Sequence, residues 1–435
     1  MGRVPNPMLI RPLKERIDRQ EWMRLTQHVM PSQPEVNIGL VGHVDHGKTT
    51  LTKALSGHWT DTHSEERKRG ISIKLGYADS AFWKDGDGTF LAGEPDMVLK
   101  KAPDASLQRV VSFVDSPGHE TLMAIMITGT SIMDGAILLI AANEPCPQPQ
   151  TREHLMALEI AGIDNIVVVQ NKVDVVGKER AMASYGEIQT FLEGTIAEDA
   201  PVIPISAQHD VNLDVLIEAI QERILTPERD TDVPGVLHVA RSFDVNRPGT
   251  GHQNLKGGVI GGSIVEGSFS VGQSIVIGPG RRRSNSAWEP IKTVITGVKG
   301  GGCDLDTMRA GGLCGLSTPL DPLTTKGDAL SGQVVAIEGH LPPVHDTIRL
   351  KLELLKTMID PEGGVSAKVA PLQTNETLMV NVATTTSVGS VKGAKGGYTT
   401  LVLRLPICAR EGARVALSRR VGSRWRLIGY GIIEG

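Results

Sequence analysis

The chain has 435 residues, 40% of them hydrophobic and 22% charged, with a formal net charge of −4. That length predicts roughly three domains with enough apolar residues for each to bury a core, and the balance excludes both a disordered chain and a globally basic nucleic-acid binder. A phosphate-bearing partner would have to meet a local basic patch, because the average field is slightly repulsive.

Cys146, Cys303, Cys314 and Cys408 are scattered, with no C-x-x-C pair and no zinc spacing, which suits free thiols in a reducing cytosol. No apolar run is long enough to span a bilayer and no apolar h-region opens the chain, so a cytoplasmic protein without a membrane partner is expected.

Residues 1–33 read as an N-terminal extension. Leu13, Ile17, Trp22, Leu25 and Val29 fall at near-helical spacing, predicting a short amphipathic helix that packs on its own first domain or on a partner. From 34 to 229 apolar strand-like runs alternate with helical periods. Val36–Val41, Val110–Val114, Ala136–Ala142, Ile166–Val169 and Val202–Ile205 read as buried parallel strands. Thr151–Ala161, stopped by Gly162, and Leu213–Ile224, opened by Asn212 as an N-cap, read as helices. The alternation predicts an α/β domain with a doubly wound, mostly parallel sheet and its ligands at the carboxyl ends of the strands. Residues 80–108 show no period and are expected to be an insertion or long loop.

The charged, proline-bearing stretch Thr226–Gly235 reads as a linker. Beyond it helical signals nearly vanish. Val236–Val245, Gly258–Val265, Ser268–Ile277, Ile291–Val298 and Gly332–Ile337 are short strand-like runs, predicting a β-barrel over 230–342. After the break at Leu341-Pro342-Pro343, the runs Thr347–Leu355, Thr377–Ala383, Thr399–Leu405, Arg414–Ser418 and Trp425–Ile433 predict a second barrel over 343–435.

Gly42-His43-Val44-Asp45-His46-Gly47-Lys48-Thr49 is a G-x-x-x-x-G-K-[ST] pattern between the first strand and the helical turn that starts at Thr50. Glycines at both ends let successive N–H groups face a phosphate, and the helix N-terminus favours the anion. Lys48 is placed to reach the β- and γ-phosphates and the Thr49 hydroxyl to ligate Mg²⁺.

Asn171-Lys172-Val173-Asp174 follows the strand that ends at Gln170. A carboxylate at 174 accepts two hydrogen bonds from guanine N1–H and its exocyclic amine, which adenine cannot offer, so the nucleotide is expected to be GTP or GDP. Lys172 can cover the base plane and Asn171 can brace neighbouring loops. Ser206-Ala207 completes the pattern, with the Ala207 N–H available to guanine O6.

Asp115-Ser116-Pro117-Gly118 ends a strand. Asp115 can hold Mg²⁺ through water, and the Gly118 N–H can touch a γ-phosphate whose loss reorients that peptide. His119 is placed to orient the attacking water, as a neutral acceptor or as imidazolium. Ser72, in Arg69-Gly70-Ile71-Ser72-Ile73, is either a second protein ligand to Mg²⁺ or part of an edge strand. Val44 and Ile71 are placed to screen the γ-phosphate from His119. No arginine finger is identified in cis, so slow hydrolysis and a GTPase-activating partner are expected.

Gly42–Leu51, Asp115–His119 and Asn171–Asp174 resemble the translational GTPases related to elongation factor Tu. More narrowly, Lys74–Ala78, Ala142–Thr151, Arg241–Asn246, Leu255–Val259 and Trp425–Gly429 resemble the gamma subunit of archaeal and eukaryotic translation initiation factor 2, and Asp45 favours the archaeal type. The resemblance runs from about residue 35 to the end. It implies a GTPase that carries initiator methionyl-tRNA to the small ribosomal subunit, as the core of a heterotrimer with alpha and beta subunits. It implies GTP contacts from Asp45, His46, Gly47, Lys48, Thr49, Thr50, Asn171, Lys172, Val173, Asp174, Ser206, Ala207 and Gln208, and catalytic roles for His119, Lys48 and Gly118. Thr49, Ser72 and Asp115 would serve one Mg²⁺, and the family pattern gives Asp45 and the Gly70 carbonyl a second.

The sequence departs from the family in three places. Ser72 replaces the usual threonine and loses a methyl that would stiffen the segment. Residues 80–108 lack the cysteines of a zinc knuckle, so no zinc is expected. The N-terminal extension is longer than the archaeal type suggests.

Arg281-Arg282-Arg283 and Arg419-Arg420 with Arg424 and Arg426 either meet tRNA phosphate or are solvated strand faces. The competing function is an elongation factor delivering elongator or selenocysteinyl tRNA, and a third is a scaffold GTPase without tRNA.

Overall fold

The computed structural model describes residues 30–60, 72, 74–247, 249–283, 288–359 and 365–435. The helix expected at Leu13–Val29 lies outside them, as do Arg69, Gly70, Ile71 and Ile73.

The first body is a seven-stranded sheet. Its strands are β1 (Val36–Gly42), β2 (Gly76–Lys84), β3 (Phe90–Ala92), β4 (Ser106–Asp115), β5 (Gly135–Ala141), β6 (Ile166–Asn171) and β7 (Val202–Pro204), in the order β3-β2-β4-β1-β5-β6-β7. β4, β1, β5, β6 and β7 run parallel. Every residue of β1 and β5 is buried, which is why those segments read as unbroken apolar runs.

Helices α1 (Lys48–Ser56), α2 (Pro95–Lys101), α3 (Met123–Thr130), α4 (Pro149–Ala161), α5 (Lys178–Leu192) and α6 (Leu213–Arg223) accompany the sheet. Leu51 and Leu55 of α1 pack with Leu216 and Ile220 of α6 on one face. Met126 of α3, Leu158 of α4 and Ile188 of α5 cover the other.

The expected loop at 80–108 is instead structured. β2 continues antiparallel to β4, folds back as β3, and α2 follows. β2 buries Ser80, Ala81, Phe82 and Trp83 in succession, with Phe82 and Trp83 packed into different clusters, so the strand shows neither a helical nor an alternating period, and Asp79 and Ser80 break its apolar run. Asn212 does occupy the N-cap position of α6, but in the left-handed region at φ 58°. Its side chain caps nothing; its amide donates to Pro204 O at 2.8 Å.

The linker is docked: Arg229 pairs with Asp134 at 2.6 Å and donates to Glu35 O at 2.9 Å. Beyond it lie β8 (Val236–Phe243), β9 (Val259–Glu266), β10 (Ser268–Ser270), β11 (Ser274–Arg282), β12 (Trp288–Val294), β13 (Gly297–Gly300), β14 (Cys303–Leu305), β15 (Thr307–Arg309), β16 (Leu313–Ser317) and β17 (Val334–Ile337). Eight form one sheet, β12-β11-β17-β8-β9-β16-β13-β14, and β10 pairs with β15. The run Ser268–Ile277 is divided by a turn through Gly272 at φ 89°.

The last body is a closed six-stranded barrel, β18-β23-β22-β21-β24-β25. It is built from β18 (Val344–Leu354), β21 (Thr377–Val382), β22 (Thr385–Lys395), β23 (Tyr398–Cys408), β24 (Arg414–Val421) and β25 (Arg424–Glu434), with a side hairpin of β19 (Thr357–Ile359) and β20 (Val365–Lys368). Sequence reading missed β22 because its inward positions are Ser387, Gly389 and Val391. A Cβ on Gly389 would stand 3.1 Å from Val380 Cγ2, so the narrow interior keeps this strand free of large apolar residues.

Candidate functional site

The phosphate loop leaves β1 at Gly42, where φ is 141° and a Cβ would stand 2.4 Å from Leu139 O, so glycine is required there. Asp45 and Gly47 follow with φ 61° and 94°, and α1 begins at Lys48. Lys48 Nζ donates to Gly42 O at 2.9 Å and His43 O at 2.7 Å. Gly118 presses on this loop: a Cβ there would be 2.6 Å from Lys48 Nζ and 2.8 Å from Val44 N.

A cleft of about 510 Å³ opens here, lined by Val44, Asp45, Gly47, Lys48, Thr49, Thr50, Trp59, Ser72, Gly118, His119 and Lys172. Of the residues expected around the phosphates and metal, His46 and Asp115 are buried and do not line this cleft, and Gly70 and Ile71 lie outside the described residues.

Three oxygens converge beneath the cleft. Thr49 Oγ1 donates to Asp115 Oδ2 at 2.8 Å and lies 3.3 Å from Ser72 Oγ. Two hydroxyls and one carboxylate are the hard, sparse donor set that Mg²⁺ uses when water and phosphate complete its octahedron, so these residues fit that ion.

The loop is held from below by histidines that burial keeps neutral. His154 of α4 is fully buried and its pKa is driven well below the ordinary 6.5 by desolvation, so its Nδ1 accepts the Gly42 N–H at 2.8 Å. Burial lowers His46 to about 3. Its Nδ1 donates to Leu139 O at 2.9 Å, and the 3.4 Å approach of Nε2 to Glu144 is therefore not an ion pair.

Asn171, at the end of β6, ties the two halves of the site together. Its Nδ2 donates to His46 O at 2.9 Å, and its Oδ1 accepts from Ala207 N at 3.1 Å. The bracing expected of Asn171 is present. The Ala207 amide, expected to be available to guanine O6, is instead donated to Asn171. Gly47 makes room for the brace, since a Cβ there would lie 2.4 Å from Asn171 Nδ2.

Lys172 adopts φ 62° and starts the 3-10 turn Val173–Val175, which carries Asp174 to the surface. The neighbouring Ser206 hydroxyl is the main influence drawing the Asp174 carboxyl below the ordinary carboxylate range. It is charged at neutral pH, and His209 Nε2 stands 3.6 Å from it. Gln208 is exposed. Asp174, Ser206 and Gln208 do not line the phosphate cleft, whereas Lys172 does. His119 lines the cleft, while its Nδ1 accepts from Thr121 N at 3.3 Å and lies 2.9 Å from Thr121 Oγ1.

The sequence reading missed His154, Trp59 and Thr60. The only signal for His154 was its place in a helical period on a buried face; no motif marks Trp59 or Thr60.

Two members of one basic cluster are corrected, while Arg420 is exposed. Arg426 is 2% exposed and pairs at 2.5 Å with Glu153 of α4, and Arg419 pairs with Glu376, so neither is a solvated phosphate contact. Arg281, Arg282 and Arg283 are exposed, with Arg283 paired to Glu289.

Fold and loops together define a translational GTPase of the elongation factor Tu type: the family model for the elongation factor Tu GTP binding domain matches residues 33–226. A second model, initiation factor eIF2 gamma, C terminal, matches residues 346–433. The chain is 55% identical over 410 residues to translation initiation factor 2 subunit gamma of Methanothermobacter thermautotrophicus, covering 93% of this chain and all of that protein. To the subunit of the same name from Methanocaldococcus jannaschii it is 54% identical, covering 93% and 98%. The chain belongs to the translation initiation factor 2 gamma subunit family.

In fold it is similar to a bacterial selenocysteine-specific elongation factor, with a TM-score of 0.70 at 23% identity, covering 92% of this chain and 58% of that one. It is likewise similar to elongation factor SelB of Methanococcus maripaludis in complex with the GTP analogue GppNHp, with a TM-score of 0.68 at 20% identity, covering 93% and 80%.

Proposed function

We propose that this chain binds initiator methionyl-tRNA in its GTP form and delivers it to the small ribosomal subunit, as the core of a heterotrimer with alpha and beta subunits. GTP hydrolysis triggers release. The observation that carries the nucleotide half is the Asn171 brace, which fixes the phosphate loop and the Ser206–Gln208 loop at one separation, so one ligand spans both. Family membership favours initiator tRNA over the elongator or selenocysteinyl alternative.

In this reading Asp174 accepts the guanine N–H groups and Lys172 covers the base, flanked by Val173, Ser206, Ala207 and Gln208. Asp45, His46, Gly47, Thr49 and Thr50 surround the phosphates, and Lys48 leaves its loop carbonyls for phosphate oxygens. Thr49, Ser72 and Asp115 would hold one Mg²⁺, which would supply charge neutralisation at the transferred phosphate. The family pattern would give Asp45 and the Gly70 carbonyl a second Mg²⁺. His119, released from Thr121, orients the attacking water, and the Gly118 N–H follows the γ-phosphate.

With no arginine among the described residues lining the cleft, hydrolysis is slow until an activating factor docks. The working units are the GTP-binding domain at 34–229 and β domains at 230–342 and 343–435, and the protein acts in the cytoplasm. Among the described residues, no helix is long and apolar enough to cross a membrane.

Filter retention of methionyl initiator against elongator tRNA, with GTP and with or without an alpha subunit, tests the reading. Selective retention of the initiator is expected. Equal retention of both would overturn it.

A further inference from the structure

The chain leaves α1 through Gly57, whose φ of 81° turns it back toward the phosphate loop. His58 lies 3.2 Å from Glu94, and Trp59 lines the cleft with the Lys53 ammonium 5.5 Å from its ring centroid. The next residue, Thr60, donates its hydroxyl to Asp115 Oδ2 at 2.6 Å. Thr49 donates to the same oxygen at 2.8 Å. Two hydroxyls therefore fix the rotation of a carboxylate that has no solvent exposure.

The facing strand leaves space for this arrangement. Gly76 is the β2 partner of Asp115. A Cβ on it would lie 2.6 Å from Thr60 Cβ, 3.1 Å from Thr60 Oγ1 and 3.3 Å from Asp115 Cβ. Glycine at 76 is what allows Thr60 to sit against the carboxylate.

We propose that Thr60 is a positioning residue for Asp115, setting the affinity of the site for Mg²⁺ and, through it, the lifetime of bound GDP. The inference rests on the Mg²⁺ role given above to Thr49, Ser72 and Asp115. A carboxylate held in one rotamer before the ion arrives loses less freedom on binding it, and a charge-assisted hydrogen bond is the stronger kind.

Release of a fluorescent GDP analogue from the full-length chain, followed across a magnesium titration, tests this. Wild-type release should slow as Mg²⁺ rises. Thr60→Val keeps the shape and loses the hydroxyl, and should raise the midpoint on the order of tenfold. Thr60→Ser should restore it. Gly76→Ala should resemble Thr60→Val, and Thr60→Ser should melt like wild type in EDTA.

A Thr60→Val midpoint equal to wild type overturns the proposal while leaving the metal reading intact. So does a Thr60→Ser midpoint as high as that of Thr60→Val. Wild-type release that ignores Mg²⁺ removes the metal reading and this inference with it.

Discussion

Helix α4 grips two regions of the molecule with adjacent residues, by opposite physical means. Toward the phosphate loop, neutral His154 accepts one backbone N–H from Gly42. Toward the barrel, Glu153 meets Arg426 in an ion pair with each side chain 3% exposed, and Arg414 donates to Ile160 O at 2.9 Å near the helix end. A neutral hydrogen bond can be broken and remade at modest cost, which suits a loop that must respond to its ligand. A buried charge pair cannot be half broken cheaply, which suits a docking face that must keep its register.

The sharpest way to break this comparison is to remove one charge. Glu153→Ala removes the carboxylate that meets the buried Arg426 guanidinium and should destabilise the protein by about 3–5 kcal/mol in urea unfolding. A loss under about 1 kcal/mol would show that the contact behaves like an exposed pair.

Residues at the loop end should instead change chemistry without unfolding the chain. Asp174→Asn should weaken GTP on the order of a hundredfold by losing charged hydrogen bonds, and favour xanthosine triphosphate, with an unaltered urea midpoint. His119→Ala, measured in parallel, should slow phosphate release while leaving nucleotide affinity nearly unchanged. Unchanged GTP affinity in the first variant or an unchanged rate in the second would remove the corresponding role.

Acid sharpens the contrast at smaller cost per residue. Burial holds His154 well below its ordinary value, His46 at about 3 and His238 of β8 at about 4. Below 6.5 the unfolded chain therefore binds more protons than the folded one at these positions, and stability falls as pH falls. At pH 5 each such histidine removes roughly 2 kcal/mol. Asp79 runs the other way: burial pushes it up to about 6, so its folded form gains protons on acidification, and Asp134 shifts in the same direction. Urea midpoints from pH 7.5 to 5 should decline, and less steeply in a His154→Gln variant. A flat profile would mean that these imidazoles are solvated in the folded state.

Much of this was readable in the amino-acid order, for definite reasons. The phosphate loop was visible because its glycines, lysine and threonine act within one turn of chain. The parallel strands were visible because burial on both faces enforces continuous apolar runs. β22 was invisible because its inward side chains are small, and 80–108 because β2 is buried on both faces with Asp79 and Ser80 interrupting its apolar run. The fate of Ala207 N–H could not be read either, since its acceptor lies 36 residues away in Asn171.

The sequence by itself determined the nucleotide class and the two kinds of domain, because those depend on local spacing and on periodicity. Tertiary structure alone decided which groups support them. Thr60 reaches Asp115 across 55 residues, His154 reaches Gly42 across 112, and Glu153 finds Arg426 across 273. Contacts at such separations leave no trace in local pattern, because they depend on chain segments that only folding brings together.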